Sequence, residues 1–141
     1  MILLCFGTRP EWLKIKPLIK LLKEEENEYN TKMYRLLFTG QHEDLLEDIL
    51  VDERVHILHY SDKRLDNVII NCLMQFPEGD FDSVLVQGDT VSAFACAVAA
   101  YNRKLKIYYL EAGLRSYNLD HPYPEEYQIL IYALLNYQKK I

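Results

Sequence analysis

The sequence predicts an α/β fold in which helices cover both faces of a parallel sheet. Short apolar runs rich in β-branched and aromatic residues alternate along the chain with longer segments of helical periodicity. Such alternation is typical of parallel strands joined by right-handed helical crossovers, as in a Rossmann-like domain. The 141 residues, 50% of them hydrophobic, are enough for one domain with one buried core.

Five short apolar runs are predicted to be the strands. They cover residues 2–6, 34–38, 55–60, 83–87 and 106–110. The runs at 2–6, 83–87 and 106–110 are almost continuously apolar, whereas a strand with one face in water alternates polar and apolar residues. These three strands are therefore expected to be buried on both faces of the sheet.

Five segments with helical periodicity are predicted to be the helices. They cover residues 10–26, 41–50, 65–76, 90–101 and 125–137. The apolar face of the first helix is predicted to hold Leu13, Pro17, Leu18, Leu21 and Leu22. Because Pro17 cannot donate the interior hydrogen bond, this helix should kink or restart there.

The charge of the chain favours a small anionic ligand over a nucleic acid. Its 16 basic and 21 acidic residues give a net charge of −5, so no global basic field attracts a polyanion. Residues 1–23 nevertheless carry a net charge of +4, from Arg9 and four lysines against Glu11. A local cationic segment on an acidic chain suits a small anionic molecule.

Simple features argue against several other classes of protein. No apolar run approaches the roughly 20 residues of a membrane helix, and the N-terminus lacks the basic region and cleavage site of a signal peptide. Cys5, Cys72 and Cys96 each lie in an apolar segment without metal-ligand spacing, which is typical of reduced core residues. We therefore expect a cytoplasmic protein with no membrane contact and no metal or redox cofactor.

Glycine and polar residues follow four of the predicted strands. The segments are GTRPE at 7–11, TGQH at 39–42, GDT at 88–90 and EAGLR at 111–115, and HPYPEE at 121–126 precedes the last helix. Because the carboxyl ends of parallel strands meet at one edge of the sheet, these segments should lie together. That edge is the predicted site.

The first of these segments has the features of an anion site. Gly7 allows a close backbone approach, and the helix that begins after it offers unpaired N–H groups and a positive dipole end. Arg9 can fork onto a phosphate, and Lys14, one turn into the helix, can add a point charge. The alternative is that both are solvated cations at a helix start.

Several carboxylates accompany these cations. Asp89 opens a helix, where an N-cap role is the alternative, and Glu111 ends a strand at the crevice. Glu125 and Glu126 stand in the first turn of the last helix, where acids are favoured in any case. Crowded carboxylates raise one another's pKa, which provides the acid and base for proton transfer.

The motifs together resemble the non-hydrolysing UDP-N-acetylglucosamine (UDP-GlcNAc) 2-epimerases. They are GTRPEWLKIKPLI at 7–19, TGQHEDLL at 39–46, VLVQGDT at 84–90 and YLEAGLRSYNLDHPYPEE at 109–126. The resemblance implies the GT-B arrangement, two Rossmann-like domains with the active site between them. Residues 1–141 then form the N-terminal domain, and the C-terminal UDP-binding domain lies outside this chain, which we expect to be inactive alone.

The resemblance also implies a reaction and residue roles. The family interconverts UDP-GlcNAc and UDP-ManNAc, for cell-envelope polysaccharides, by anti elimination of UDP to 2-acetamidoglucal and re-addition. Arg9 and Lys14 match the family residues at the diphosphate and the active site. The family's acidic catalytic set is matched by Asp89, Glu111 and Glu125. Gln41 and His42 match a segment that contacts a second, activating UDP-GlcNAc in some members.

Alternatives to this reading remain open at the level of sequence. The chain can be a non-catalytic domain that binds nucleotide sugars or pairs with another chain, or the acceptor half of a GT-B glycosyltransferase. The resemblance also leaves open a hydrolysing relative, which releases free ManNAc. The resemblance also allows a homodimer and a C-terminal domain supplied by another chain.

Overall fold

The computed structural model describes residues 1–111, 127, 130, 131 and 133–135. Its strands are β1 (Ile2–Phe6), β2 (Tyr34–Phe38), β3 (Glu53–Arg54), β4 (Ser83–Gln87) and β5 (Lys106–Leu110). They form one sheet in the order β3-β2-β1-β4-β5, and every pair in it is parallel. The predicted parallel α/β sheet is confirmed.

Helices cover both faces of this sheet, as predicted. They are α1 (Arg9–Tyr29), a 3₁₀-helix (Glu43–Asp48), α2 (Arg64–Met74) and α3 (Val91–Asn102). On one face α1 and the 3₁₀-helix pack on a cluster that includes Phe6 and Phe38. On the other face α2 and α3 pack on a cluster that includes Val84 and Val86. The central strands β1 and β4 are therefore buried between two layers of helix.

The predicted strand at 55–60 is wrong, and a ladder of side-chain amides stands in its place. After β3, the Val55 N–H donates to the Phe38 carbonyl at 2.9 Å, and sheet pairing then stops. The backbone that follows is bound by three amide side chains of α2 and its C-cap, Asn67, Asn71 and Gln75, spaced four residues apart. We call these three residues the amide ladder.

Each member of the amide ladder accepts a hydrogen bond from, and donates one to, the backbone of residues 56–61. Gln75 accepts from the His56 N–H at 2.8 Å and donates to its carbonyl at 2.7 Å. Asn71 does the same with Leu58, at 3.1 and 2.7 Å. The segment thus satisfies its backbone groups as a strand would, but its partner is a helix.

The buried face of α1 differs in part from the prediction, since Leu18 and Leu22 pack on the core as predicted. Ile15 and Ile19 are buried, whereas Leu13 and Leu21 are more than half exposed, at 57% and 59%. The helix is also continuous through Pro17, where a kink or restart was predicted. Pro17 is exposed, so water can solvate the backbone carbonyl that a proline leaves without a partner.

Three further predictions are corrected or completed. β5 is half exposed, with Tyr108 at 43% and Leu110 at 38%, because it lies at the end of the described sheet order. The segment predicted as a helix at 41–50 forms only the short 3₁₀-helix, with the acidic Asp48 in its last turn, where the helix dipole favours a cation. Of the helix predicted at 125–137, residues 127, 130, 131 and 133–135 are helical and the others lie outside the described residues.

Cys5, Cys72 and Cys96 are free and buried, as predicted. A hydrogen bond with Cys96 and burial raise the pKa of the Cys72 thiol. Among the described residues, no helix is long and apolar enough to cross a membrane.

Candidate functional site

The loops after β1, β2 and β4 and the end of β5 meet at the carboxyl edge of the sheet. The His42 N–H donates to the Gly7 carbonyl at 2.7 Å and joins the loops after β1 and β2. The Gly88 N–H donates to the Leu110 carbonyl at 3.1 Å and joins the ends of β4 and β5. The predicted convergence of these segments is therefore confirmed for the residues that the structure describes.

Glu11 is the buried centre of the loop after β1, and it was not among the predicted site residues. Its side chain is 1% exposed although it carries a carboxyl group. Oε2 accepts from the N–H groups of Gly7 and Thr8, both at 2.7 Å, while Thr8 Oγ1 caps the Glu11 N–H. The Thr-x-x-Glu spacing of this capping box is visible in the sequence and is the signal that would have identified Glu11.

This arrangement corrects one part of the predicted anion site. The N–H groups at the start of α1 were expected to be unpaired and available to a phosphate. Instead, those of Gly7 and Thr8 bind Glu11, and that of Arg9 donates to His42 Nδ1 at 3.3 Å. These three N–H groups are therefore not available to a phosphate, and an anion at the start of α1 would be bound by side chains.

Glu11 also connects the loop after β1 with the loop after β4. Its Oε1 accepts from the hydroxyl of Thr90, and Thr90 Oγ1 in turn accepts from the Ala93 N–H at 3.0 Å as the N-cap of α3. Burial raises the pKa of the Glu11 carboxyl, and its hydrogen bonds with Thr90, Gly7 and Thr8 oppose that rise. The cap of α3 is Thr90, so the alternative of Asp89 as a plain N-cap is excluded.

Gly7 is required by close packing of side chains. A Cβ at this position would lie 1.9 Å from Thr39 Oγ1 and 2.2 Å from Ser92 Oγ. These two hydroxyls are hydrogen-bonded to each other at 2.7 Å, and Ser92 Oγ donates to Gln41 Oε1 at 2.6 Å. The absent side chain of Gly7 makes room for this network, which fixes the Gln41 side chain.

Lys14 and Glu111 meet across the site although 97 residues separate them in the sequence. Lys14 Nζ forms an ion pair with Glu111 Oε1, and the two side chains are 50% and 32% exposed. Gln87 Nε2 donates to the other carboxylate oxygen, Oε2, at 2.6 Å. Glu111 itself has a φ of 62°, a left-handed conformation that is uncommon for a residue other than glycine.

A groove of about 460 Å³ lies at the loops after β1 and β2 and the start of α2. Its lining residues are Arg9, Gln41, His42, Glu43, Asp44, Leu45 and Arg64. Arg64 donates to the Gln41 carbonyl and lies 3.7 Å from the Glu43 carboxylate. Arg64 was not among the predicted site residues. It is the first residue of α2, and the signal that would have identified it is its place in the loop that follows the predicted third strand.

The structure places most of the predicted site residues at one edge. Arg9, Gln41 and His42 line the groove, Lys14 contacts Glu111, and the half-buried Asp89 precedes the Thr90 cap. Glu125 and Glu126 lie outside the described residues. No group of three or more His, Cys, Asp or Glu side chains within the described part of the chain could hold a metal ion.

Over most of its length the chain is similar to UDP-N-acetylglucosamine 2-epimerases. The family model described as UDP-N-acetylglucosamine 2-epimerase matches residues 24–129. The UDP-N-acetylglucosamine 2-epimerase of Campylobacter jejuni is 41% identical over 134 residues, which cover 89% of this chain and 34% of the relative. That of Neisseria meningitidis serogroup A is 38% identical, covering 89% of this chain and 35% of the relative.

Solved structures match over the same extent. The UDP-GlcNAc 2-epimerase from N. meningitidis, solved bound to UDP-GlcNAc, aligns with a TM-score of 0.76 and 32% identity over 95% of this chain and 38% of that one. Another UDP-N-acetylglucosamine 2-epimerase aligns with a TM-score of 0.79 and 31% identity over 94% of this chain and 39% of that one. The chain spans about a third of the length of the curated relatives it matches. On these matches the chain belongs to the UDP-N-acetylglucosamine 2-epimerase family.

Proposed function

We propose that this chain forms the N-terminal domain of an enzyme that interconverts UDP-GlcNAc and UDP-ManNAc. The observation that carries the proposal is the contact of Lys14 with Glu111 at the carboxyl edge of the sheet. It brings a cation suited to a diphosphate against a carboxylate suited to proton transfer. A relative that is 32% identical to this chain over the aligned region has been solved bound to UDP-GlcNAc.

In this proposal Arg9 and Lys14 bind the diphosphate, and Asp89, Glu111 and Glu125 form the acidic set. One carboxylate removes the proton from C2 of the sugar while the C1–O bond to UDP breaks, and the products are 2-acetamidoglucal and UDP. UDP then returns to C1, and a proton is delivered to the opposite face of C2. Because the leaving group is anionic, cations at its diphosphate lower the barrier to the elimination.

The test is a chimera in which this chain replaces the aligned third of the C. jejuni relative. Conversion of UDP-GlcNAc to UDP-ManNAc and exchange of the C2 hydrogen in D₂O are followed by ¹H NMR. We expect turnover by the chimera, with kcat lowered at least about 100-fold by Lys14→Met or Glu111→Gln. Lys20→Met is the matched control, because it removes an exposed lysine from the same helix.

The outcomes separate the proposal from its alternatives. A folded chimera that binds UDP without exchanging the C2 hydrogen would overturn the proposal and favour a non-catalytic nucleotide-sugar-binding domain. Release of free ManNAc would place the chain with the hydrolysing relatives. Turnover by the 141-residue chain alone would overturn its assignment as one domain of two.

We also propose that the groove lined by Arg9 and Arg64 binds a second UDP-GlcNAc. Two guanidinium groups support this assignment, since Arg9 and Arg64 both line the groove. Gln41, which Ser92 fixes, and His42 add polar groups. In the chimera, Arg64→Gln should flatten any sigmoidal dependence of rate on UDP-GlcNAc, and an unchanged rate curve would contradict the assignment.

A further inference from the structure

The buried, uncharged side chain of Gln87 binds one oxygen of the Glu111 carboxylate. Gln87 is the last residue of β4 and pairs with Leu110 in the register of β4 and β5, so Glu111 follows directly beside it. The Gln87 side chain is 4% exposed, and its Nε2 lies 2.6 Å from Glu111 Oε2. No role was assigned to it from the sequence.

The backbone around this contact is held in a defined conformation. Glu111 has a left-handed φ of 62°, which persists in proteins when surrounding interactions maintain it. The Gly88 N–H donates to the Leu110 carbonyl at 3.1 Å, and the Tyr109 hydroxyl donates to the Gly88 carbonyl at 2.7 Å. The ends of β4 and β5 are thus tied together at Gly88, the residue directly after Gln87.

The two partners of the Glu111 carboxylate differ in how easily they can leave it. The Lys14 side chain is half exposed and flexible, so an arriving diphosphate can draw its ammonium group away from Oε1. Gln87 is buried, and its amide remains at Oε2. It is also neutral, so it orients the carboxylate without cancelling its charge.

We propose that Gln87 is a positioning residue that keeps the Glu111 carboxylate in place when the substrate's diphosphate takes Lys14. The inference rests on the proposed function in that Glu111 is taken as a proton-transfer group. It assigns different roles to the two partners of Glu111. Lys14 moves away from Oε1, which can then accept the proton, and Gln87 stays hydrogen-bonded to Oε2.

The kinetic test uses Gln87→Met and Gln87→Glu in the chimera described above. Gln87→Met keeps the length of the side chain and removes the donor, so kcat should fall about 10- to 100-fold with KM within about twofold. Gln87→Glu keeps size and polarity but faces Glu111 with a second acceptor, so its kcat should fall further.

Gln75→Met is the matched control, because it removes a hydrogen-bonding amide that binds the His56 backbone and does not contact Lys14, Gln87 or Glu111. It should lower stability and leave kcat unchanged. A Gln87→Met variant with wild-type kcat, or a fall in kcat shared equally by Gln75→Met, would overturn the inference.

A second measurement is independent of turnover. In the 141-residue chain, Glu111→Gln should shift the ¹H and ¹⁵N resonances of the Gln87 side-chain amide. Unchanged resonances would overturn the contact and the inference with it. If the chimera shows no turnover but the Gln87 resonances of the 141-residue chain do shift, the proposed function is overturned and the contact is established.

Discussion

Replacing Gly7 by alanine should destabilise the domain more than any other exchange of glycine for alanine among the described glycines. The new Cβ would lie 1.9 Å from Thr39 Oγ1 and 2.2 Å from Ser92 Oγ, where ordinary contacts are 3.4–4 Å. Both hydroxyls must retreat by more than an ångström, which breaks their mutual hydrogen bond of 2.7 Å. Overpacking costs about 1–3 kcal/mol and each buried hydrogen bond about 1 kcal/mol, so we expect a loss of about 3 kcal/mol.

Urea denaturation of the chain measures this loss. For an m-value of about 2 kcal/mol/M, the midpoint should fall by about 1.5 M. Gly79→Ala is the control, since its Cβ meets only the end of the Arg35 side chain, at 2.8 Å, and the ring of Phe81. If Gly7→Ala costs no more than this control, the close packing described here is refuted.

A rescue experiment tests the cause of the loss. In a background of Thr39→Ala and Ser92→Ala, both hydroxyls that the new Cβ would meet are gone. The step from Gly7 to alanine should then cost less than about 1 kcal/mol. An undiminished cost in this background would show that the hydroxyls are not responsible.

Three further predictions concern buried polar groups. Because burial raises the pKa of Glu11 above its ordinary 4.5, the wild-type free energy of unfolding should fall as pH rises from about 4.5 through the raised pKa. Glu11→Gln should remove this dependence. If the difference in free energy of unfolding between the wild type and Glu11→Gln is the same at pH 4 and at pH 7, the prediction is contradicted. Asn71→Leu leaves the Leu58 N–H and carbonyl without partners, so stability should fall by about 2–3 kcal/mol and the Leu58 amide should exchange faster with deuterium. The thiols of Cys72 and Cys96 should react with a disulfide reagent only as fast as the chain unfolds, because both are fully buried with raised pKa values; rapid labelling of native protein would exclude this.

Local patterns predict the strands where the sheet itself supplies the partners. β1, β2, β4 and β5 have the predicted bounds. In β1 and β4 the reason is that a continuously apolar run is stable when it is buried between two layers of helix. The segment after β3 is also apolar and β-rich, yet its hydrogen-bonding partners are the amides of α2. A pattern read along one segment contains no information about a partner elsewhere in the chain.

The site is predictable to a similar degree. That the loops after the strands converge follows from topology alone, which is why Arg9, Gln41 and His42 are found at one edge. Which side chains pair there depends on tertiary distances, so the contact of Lys14 with Glu111 required the structure. Glu11 could have been identified from the capping-box spacing, but its burial and its bond with Thr90 could not.

The amide ladder has a consequence for how this domain behaves in a crowded solution. A sheet edge with free N–H and C=O groups is a template on which strands of other molecules can add. Here β3 is only two residues long, and the backbone beyond it is already bound by Asn67, Asn71 and Gln75. The ladder thus protects this side of the sheet against aggregation. Because it binds main-chain atoms, the exposed side chains of Leu58 and Tyr60 are free to change without loss of that protection.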